Sequence, residues 1–264
     1  MKTFSSPVST VMTQKVATIG PNTMLPHIAR ELDERQISAM PVVDDQGALI
    51  GVISRTDLLR LGRIQAGSHR KASVLTLPER SATELLREKG RAPIVVTPTT
   101  SLRDASRLMR DERIHRLFVV DGKNVVGVIS TLDVMRAVRD AKIDLPITEI
   151  MSTPLFSINA HQPLSAAVAR LEQAHVTGLV VLDDDFPVGV FTQLEAMQSR
   201  DLPRDTRVDE QFDPSMLCLP VTTKIFRAAE QAARMQVRRI IPCRDREAVG
   251  IVTGFDFVKL AARD

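Results

Sequence analysis

The sequence predicts an α+β fold of four β-α-β-β-α repeats, paired through their sheets into two modules. Three observations carry this expectation. A seven-residue string recurs four times, a helical spacing of apolar residues precedes each copy, and a short apolar run lies between the two. The strings are Gly51-Val52-Ile53-Ser54-Arg55-Thr56-Asp57, Gly127-Val128-Ile129-Ser130-Thr131-Leu132-Asp133, Gly189-Val190-Phe191-Thr192-Gln193-Leu194-Glu195 and Gly250-Ile251-Val252-Thr253-Gly254-Phe255-Asp256. Each reads glycine, two apolar residues, a hydroxyl, two variable residues and an acid. The closing acids lie 76, 62 and 61 residues apart, and near-constant spacing of this kind marks a repeat architecture.

Each element of the repeat has its own signal. A short first strand is read at Ala17-Thr18-Ile19, Ile94-Val95-Val96, Phe156-Ser157-Ile158 and Leu217-Cys218-Leu219. An amphipathic helix comes next, because Leu25, Ile28, Ala29 and Leu32 have the i, i+3, i+4, i+7 spacing of one helical face. That spacing returns at Leu102, Ala105, Ser106 and Met109, at Leu164, Ala167, Val168 and Leu171, and at Ile225, Ala228, Ala229 and Ala232. The runs Met40-Pro41-Val42-Val43, Leu117-Phe118-Val119-Val120, Leu179-Val180-Val181-Leu182 and Ile240-Ile241-Pro242-Cys243 then lead through polar turns into the strings. Run, turn, run is a hairpin signature. A second helix is expected to start at the closing acid.

The expected organisation is repeat 1 over 7–62, a basic insert over 63–80, repeat 2 over 81–140, repeat 3 over 147–200 and repeat 4 over 207–264. A unit of this size buries only about 60% of its surface alone, so it gains by pairing. The pairs are expected to divide near Asp140 to Pro146.

Composition excludes several classes. The chain of 264 residues is 44% apolar and 25% charged, with a formal charge of +3, which is globular and gives no basic footprint for wrapping nucleic acid. All nine aromatic residues are Phe, too few for a base-stacking platform. Two cysteines, Cys218 and Cys243, make no disulfide framework and fit a reducing compartment; both are expected to be buried. The longest uncharged run, Ile150 to Ala169, holds two prolines, an Asn, a His and a Gln and does not suit hydrocarbon. The first residues lack the apolar core of a signal peptide, so the expected location is the cytoplasm.

On these motifs the chain resembles four tandem cystathionine-β-synthase (CBS) domains arranged as two Bateman modules. The lead-ins Val8-Ser9-Thr10-Val11-Met12-Thr13 and Ile147-Thr148-Glu149-Ile150-Met151-Ser152 are similar to that family's opening motif. The resemblance implies a regulatory sensor that binds an adenosine-containing ligand (AMP, ADP, ATP or S-adenosylmethionine) in clefts between paired repeats. It places the ribose and phosphate end at Ser54 and Asp57, Ser130 and Asp133, Thr192 and Glu195, and Thr253 and Asp256. A carboxylate accepts hydrogen bonds from a ribose diol, and a helix N-terminus attracts phosphate. The same Ser/Thr-x-x-acid spacing is equally a capping box that needs no ligand. Three of the four acids are Asp, which favours binding; Glu195 is the exception.

The residues just ahead of the apolar runs differ between copies. His115-Arg116 resembles the nucleotide-binding repeats of AMP-activated protein kinase gamma subunits, and Arg238-Arg239 offers two planar forks for phosphate. Arg55 is a further phosphate candidate. Repeats 2 and 4 are therefore the better-equipped half-sites. At the adenine end, family members often place a hydroxyl on the first strand, which here picks out Thr18 and Ser157.

Other signals fall away. Gly62 to Gly67 lacks the Lys-Ser/Thr of a P-loop, no two glycines are separated by a single residue, and His and Cys show no zinc spacing. No nucleophile, base and orienter suggest catalysis, so the chain is expected not to be an enzyme. The repeats use up the sequence, so output is expected to pass to a separate effector protein or through oligomerisation, a homodimer among the possibilities. Gly62 to Arg91 carries seven Lys/Arg against three Glu. That stretch supports the alternative of a non-enzymatic scaffold with vestigial clefts, whose basic insert engages a protein partner or nucleic acid.

Overall fold

The computed structural model describes residues 4–66, 73–199, 202–245 and 247–263. Repeat 1 holds α1 (Leu25–Glu34), β1 (Ala39–Val43), β2 (Leu49–Ser54) and α2 (Arg55–Leu61). The insert forms an antiparallel pair, β3 (Arg63–Ala66) with β4 (Ser73–Thr76), for which the repeat pattern gives no signal; residues 67–72 lie outside the described residues. After α3 (Ala82–Lys89), repeat 2 runs β5 (Val95–Val96), α4 (Leu102–Asp111), β6 (Arg116–Asp121), β7 (Asn124–Ser130) and α5 (Thr131–Asp140). Repeat 3 has β8 (Ser157–Asn159), α6 (Leu164–Gln173), β9 (Gly178–Asp183), β10 (Phe186–Thr192) and α7 (Gln193–Gln198). Repeat 4 has β11 (Leu217–Pro220), α8 (Ile225–Met235), β12 (Arg239–Arg244), β13 (Glu247–Ala248), β14 (Val252–Thr253) and α9 (Gly254–Ala261). The fold is the α+β repeat architecture the sequence predicts.

Within a repeat the middle strand pairs in parallel with the first strand and antiparallel with the returning one. In repeat 1 the first strand shrinks to a single bridge from Ile19 to Val42. In the first three hairpins the register slips by one residue just before the string's glycine, skipping Ile50, Val126 and Val188. Each slip is a β-bulge, which bends the strand and re-aims the residues beyond it.

The repeats pair by exchanging their lead-ins. The first N–H of α1 donates to the carbonyl of Arg80 (2.9 Å), and that of α4 to Ser6 (2.9 Å). Likewise the first N–H of α6 donates to Thr206 and that of α8 to Leu145, each at 2.8 Å. Each acceptor belongs to the segment leading into the other repeat of the pair. Return bonds run from Ala82 to the Thr23 carbonyl and from Val8 to that of Thr100, both 2.8 Å. Val208 donates to Gln162 (2.9 Å) and Ile147 to Thr223 (2.8 Å). Helix N-terminal N–H groups have no partner within the helix, and α1, α6 and α8 have no side-chain cap. The neighbouring repeat supplies it.

The same exchange explains the glycines. A Cβ on Gly51 would sit 2.4 Å from Leu86, on Gly127 2.4 Å from Met12, on Gly189 2.1 Å from Phe212 and on Gly250 2.5 Å from Met151. All four neighbours lie on the partner repeat's lead-in. In three copies that lead-in also pairs backbone to backbone with the residue after the glycine, as Thr13 does with Val128, Ser152 with Ile251 and Asp213 with Val190. In repeat 1 helix α3 takes this place, and Lys89 Nζ donates to the Val52 carbonyl (2.8 Å) in lieu of a backbone N–H.

The two pairs meet through their helices. Repeats 2 and 4 share one continuous core, in which Val134, Met135 and Val138 of α5 join Ala228, Ala229 and Ala232 of α8 and Phe257 and Val258 of α9. Repeats 1 and 3 have separate cores, and α2 lies beside α7. One chain thus closes a ring in the order 1-2-4-3.

Gly189→Ala is expected to lower stability by about 1–3 kcal/mol through overpacking, because the Asp213 carbonyl (2.7 Å) as well as the Phe212 ring blocks the new methyl. Gly20→Ala, with nothing nearer than 3.9 Å, is expected to change stability by less than about 0.5 kcal/mol. Chemical denaturation of the two variants checks both.

Candidate functional site

The four hydroxyl-acid motifs are all capping boxes. The Ser54, Ser130 and Thr253 amides donate to the Oδ2 of Asp57, Asp133 and Asp256 at 2.8 Å, and the Thr192 amide to Glu195 Oε2 at 2.9 Å. The hydroxyl is therefore the N-cap and the acid the third helical residue, so each second helix starts two residues before the acid rather than at it. The acids are further engaged by bases. Asp57 accepts from Lys89 (2.8 Å), Asp133 from Arg136 (2.9 Å), and Asp256 from Lys259 (2.8 Å) and Ser152 (3.3 Å). Burial alone would raise the Asp57 pKa; the bonds from Lys89 and from the Ser54 hydroxyl and amide outweigh it and hold the carboxyl below its ordinary range.

A cleft of about 1050 Å³ opens between repeats 3 and 4, with repeat 2 forming a further wall. Of the sequence-predicted residues, Thr192, Arg238, Arg239, Thr253, Asp256 and His115 line it. His115 and Arg238 stand just ahead of β6 and β12, so each strand's start aims a basic side chain at the same space. The His115 ring meets Phe255 edge-on, centroids 5.6 Å apart at 63°. Lys259 lies 5.7 Å over the Phe255 ring.

Basic groups crowd together here. The enclosing protein, and then the charges of Arg116, Arg238 and Arg239, hold the His115 pKa below the usual imidazole value. Arg116 is brought down to about 10, by burial first and then by Arg238. Arg238 is lowered too, by burial and then Arg239, with Asp133 acting the other way. Arg239 is matched by Asp213 at 2.6 Å. The Arg238 guanidinium makes no hydrogen bond or ion pair among the described residues. Like charges held together in a partly desolvated cleft are relieved by an anion.

The remaining sequence-predicted residues do not line this cleft. Arg55 is turned onto the end of α1, where it pairs with Asp33 and donates to the Leu32 and Ile37 carbonyls (both 3.4 Å). Arg116 reaches across to Ser38 of repeat 1. Ser54, Asp57, Ser130, Asp133 and Glu195 cap their helices. Thr18 is exposed beside the single bridge of repeat 1, and Ser157 sits half-buried in β8. Phe156, the neighbour of Ser157, lines the cleft instead, since successive residues of an extended chain face opposite ways. Sequence reasoning misses Arg110, Arg113 and Thr131 of repeat 2, which enter a cleft belonging to the other pair. No spacing within one repeat could signal them. Cys218 and Cys243 lie on adjacent parallel strands, both free, but Cys218 is exposed and Cys243 only half-buried, where both were expected to be buried. Among the described residues no helix is long and apolar enough to cross a membrane.

The family model for the CBS domain matches residues 8–63, 89–140 and 147–199, more than half of the chain. The chain belongs to the CBS-domain family. Among known proteins it is similar to an uncharacterised 33.4 kDa protein of a Thermofilum pendens ribosomal RNA operon, 26% identical over 68% of this chain and 59% of that one. It is also similar to the uncharacterised protein MJ1404 of Methanocaldococcus jannaschii, 22% identical over 85% of this chain and 56% of that protein. The chain thus spans less than three-fifths of the length of these two relatives. Bacillus subtilis YhcV, a CBS domain-containing protein, is 31% identical over 48% of this chain and 82% of its own. Among solved structures, MJ1225 of M. jannaschii, described as a candidate archaeal homologue of the AMP-activated protein kinase gamma subunit, shares the fold with a TM-score of 0.71. That match has 16% identity and covers 96% of this chain and 99% of MJ1225. A conserved protein from Pyrococcus horikoshii matches with a TM-score of 0.63 and 21% identity, covering 97% of this chain and 99% of that one.

Lys89→Met removes the partner of both the Asp57 carboxylate and the Val52 carbonyl, and is expected to cost about 1–3 kcal/mol at pH 7. Asp57 has a depressed folded pKa, so its contribution is full above the ordinary carboxylate range and is lost as pH falls through the folded value. The gap between wild type and variant, measured by denaturation from pH 7 to 3, should therefore narrow in acid.

Proposed function

We propose that the chain is a regulatory sensor, not an enzyme, which binds an adenosine phosphate in the cleft between repeats 3 and 4. The observation that carries this reading is the convergence of His115 from one pair of repeats with Arg238 and Arg239 from the other. Two guanidinium groups beside an imidazole that takes up a proton on binding suit a di- or triphosphate best. They suit S-adenosylmethionine least, because its sulfonium adds positive charge and it brings no phosphate. The apolar wall of Phe156, Leu179, Val180 and Ile251 suits a purine. Four units, at 7–62, 81–140, 147–200 and 207–264, act as the halves of two modules.

An anion touching His115 and Arg238 together binds both modules. It favours whichever arrangement of the ring holds these groups closest, and a ligand shifts such an equilibrium only through that differential affinity. The output then passes to a separate effector protein or to the association of two chains, in the cytoplasm.

Thermal unfolding against AMP, ADP, ATP and S-adenosylmethionine tests the proposal. ADP or ATP at 100 times its Kd should stabilise by about 2.7 kcal/mol, and Arg238→Gln should remove that gain with little effect on the free protein. No shift with any adenosine phosphate, or an undiminished shift in Arg238→Gln, would sink the reading. Protonation supplies a second check. The His115 pKa is depressed in the free protein and rises beside bound phosphate, so binding takes up a proton. Affinity should therefore strengthen as pH falls from 8 to 6, and His115→Gln should flatten that dependence.

A further inference from the structure

The ring is closed unevenly. On the side of repeats 2 and 4, α5 has ten residues and α9 has eight, and α5 packs along both α8 and α9. On the opposite side the equivalent second helices are short: α2 has seven residues and α7 has six. The space they fail to fill is a cavity of about 640 Å³ between α2 of repeat 1 and α6 and α7 of repeat 3, which shares Gln193 with the lining of the cleft of repeats 3 and 4. Its wall is apolar. Val168 and Ala169 of α6, Ala196 and Met197 of α7, and Leu202 beyond α7 are each only half-buried, so they keep apolar surface turned to the cavity.

Two cations border that wall. Arg60 comes from α2 and Arg204 from the segment after α7, so they belong to different modules. Neither guanidinium has a hydrogen bond or ion pair among the described residues. Among the described residues Glu172 is the one acid on the lining, so these three side chains leave one positive charge in excess. Residues 67–72 of the chain carry two fixed positive charges and no acid, which makes them a poor complement to this rim. An apolar body with an anionic head complements both features, since the head can take a guanidinium fork while the body covers the half-buried side chains.

We propose that this cavity is a second ligand site, taking a small amphipathic carboxylate between repeats 1 and 3. The ligand supplies the packing that α2 and α7 are too short to make, and its head ties Arg60 of one module to Arg204 of the other. The site is independent of the adenosine phosphate reading and stands or falls without it.

Isothermal titration with octanoate, and with 1-octanol as the uncharged control, tests the assignment. Octanoate should bind one site per chain, at least tenfold more tightly than octanol, and saturating ATP should not compete. The double variant Arg60→Gln/Arg204→Gln should weaken octanoate tenfold or more, and Ala196→Phe should abolish binding by filling the cavity. The paired arginine variant alters only unpaired side chains, so it keeps the test valid should Ala196→Phe fold poorly by circular dichroism. Absent saturable binding, equal binding of octanol, or unchanged affinity in the arginine variant would each overturn the proposal. So would sedimentation showing that a second copy of the chain excludes octanoate from this face.

Discussion

The backbone bonds exchanged at the N-termini of α1, α4, α6 and α8 hold the rest of the structure in place. A helix leaves its first N–H groups unpaired, and here a carbonyl from the other repeat's lead-in accepts the leading one in all four copies. Neither repeat of a pair can therefore be completed alone. The glycines at 51, 127, 189 and 250 belong to the same constraint, because each leaves room for a side chain of the incoming segment. Pairing, strand bulge and glycine string are one device seen from three positions.

That device sets the position of the basic side chains in the cleft. Exchange fixes repeat 1 against repeat 2 and repeat 3 against repeat 4, and the shared core of α5, α8 and α9 then fixes the two pairs through repeats 2 and 4. His115 and Arg238 stand at the starts of the middle strands in those two repeats, so joining the cores brings them together. Burial first, and then the neighbouring arginines, depress His115, and burial and then Arg239 depress Arg238. Such perturbed groups in a cleft are where binding is to be sought. The opposite edge of the ring, with its shorter second helices, is left less filled.

Much of this was legible in the residues. The four strings, the helical spacing and the hairpin runs specify each repeat, because they report local periodicity and burial. The capping boxes were legible as one of two readings, since Ser/Thr-x-x-acid is a local pattern. Arg110, Arg113 and Thr131 were not, because they reach the cleft only through the packing of repeat 2 on repeat 4. Arg55 misled within its own repeat. It occupies a phosphate-like position in its string, yet Asp33 and the open carbonyls at the end of α1 hold it elsewhere. The lead-in exchange was hidden as well, since Arg80, Ser6, Thr206 and Leu145 act through carbonyls that any residue carries. The glycines were visible without their reason.

The central claim is that an adenosine phosphate lies between repeats 3 and 4 with its phosphates against a side chain from repeat 2. A crystal structure of the chain grown with ADP or ATP tests it most directly. The expected result is phosphate oxygens within hydrogen-bond distance of both His115 and Arg238, with the base against Phe156 or its neighbours. Nucleotide bound only between repeats 1 and 2, or held with its phosphates away from His115, would contradict it.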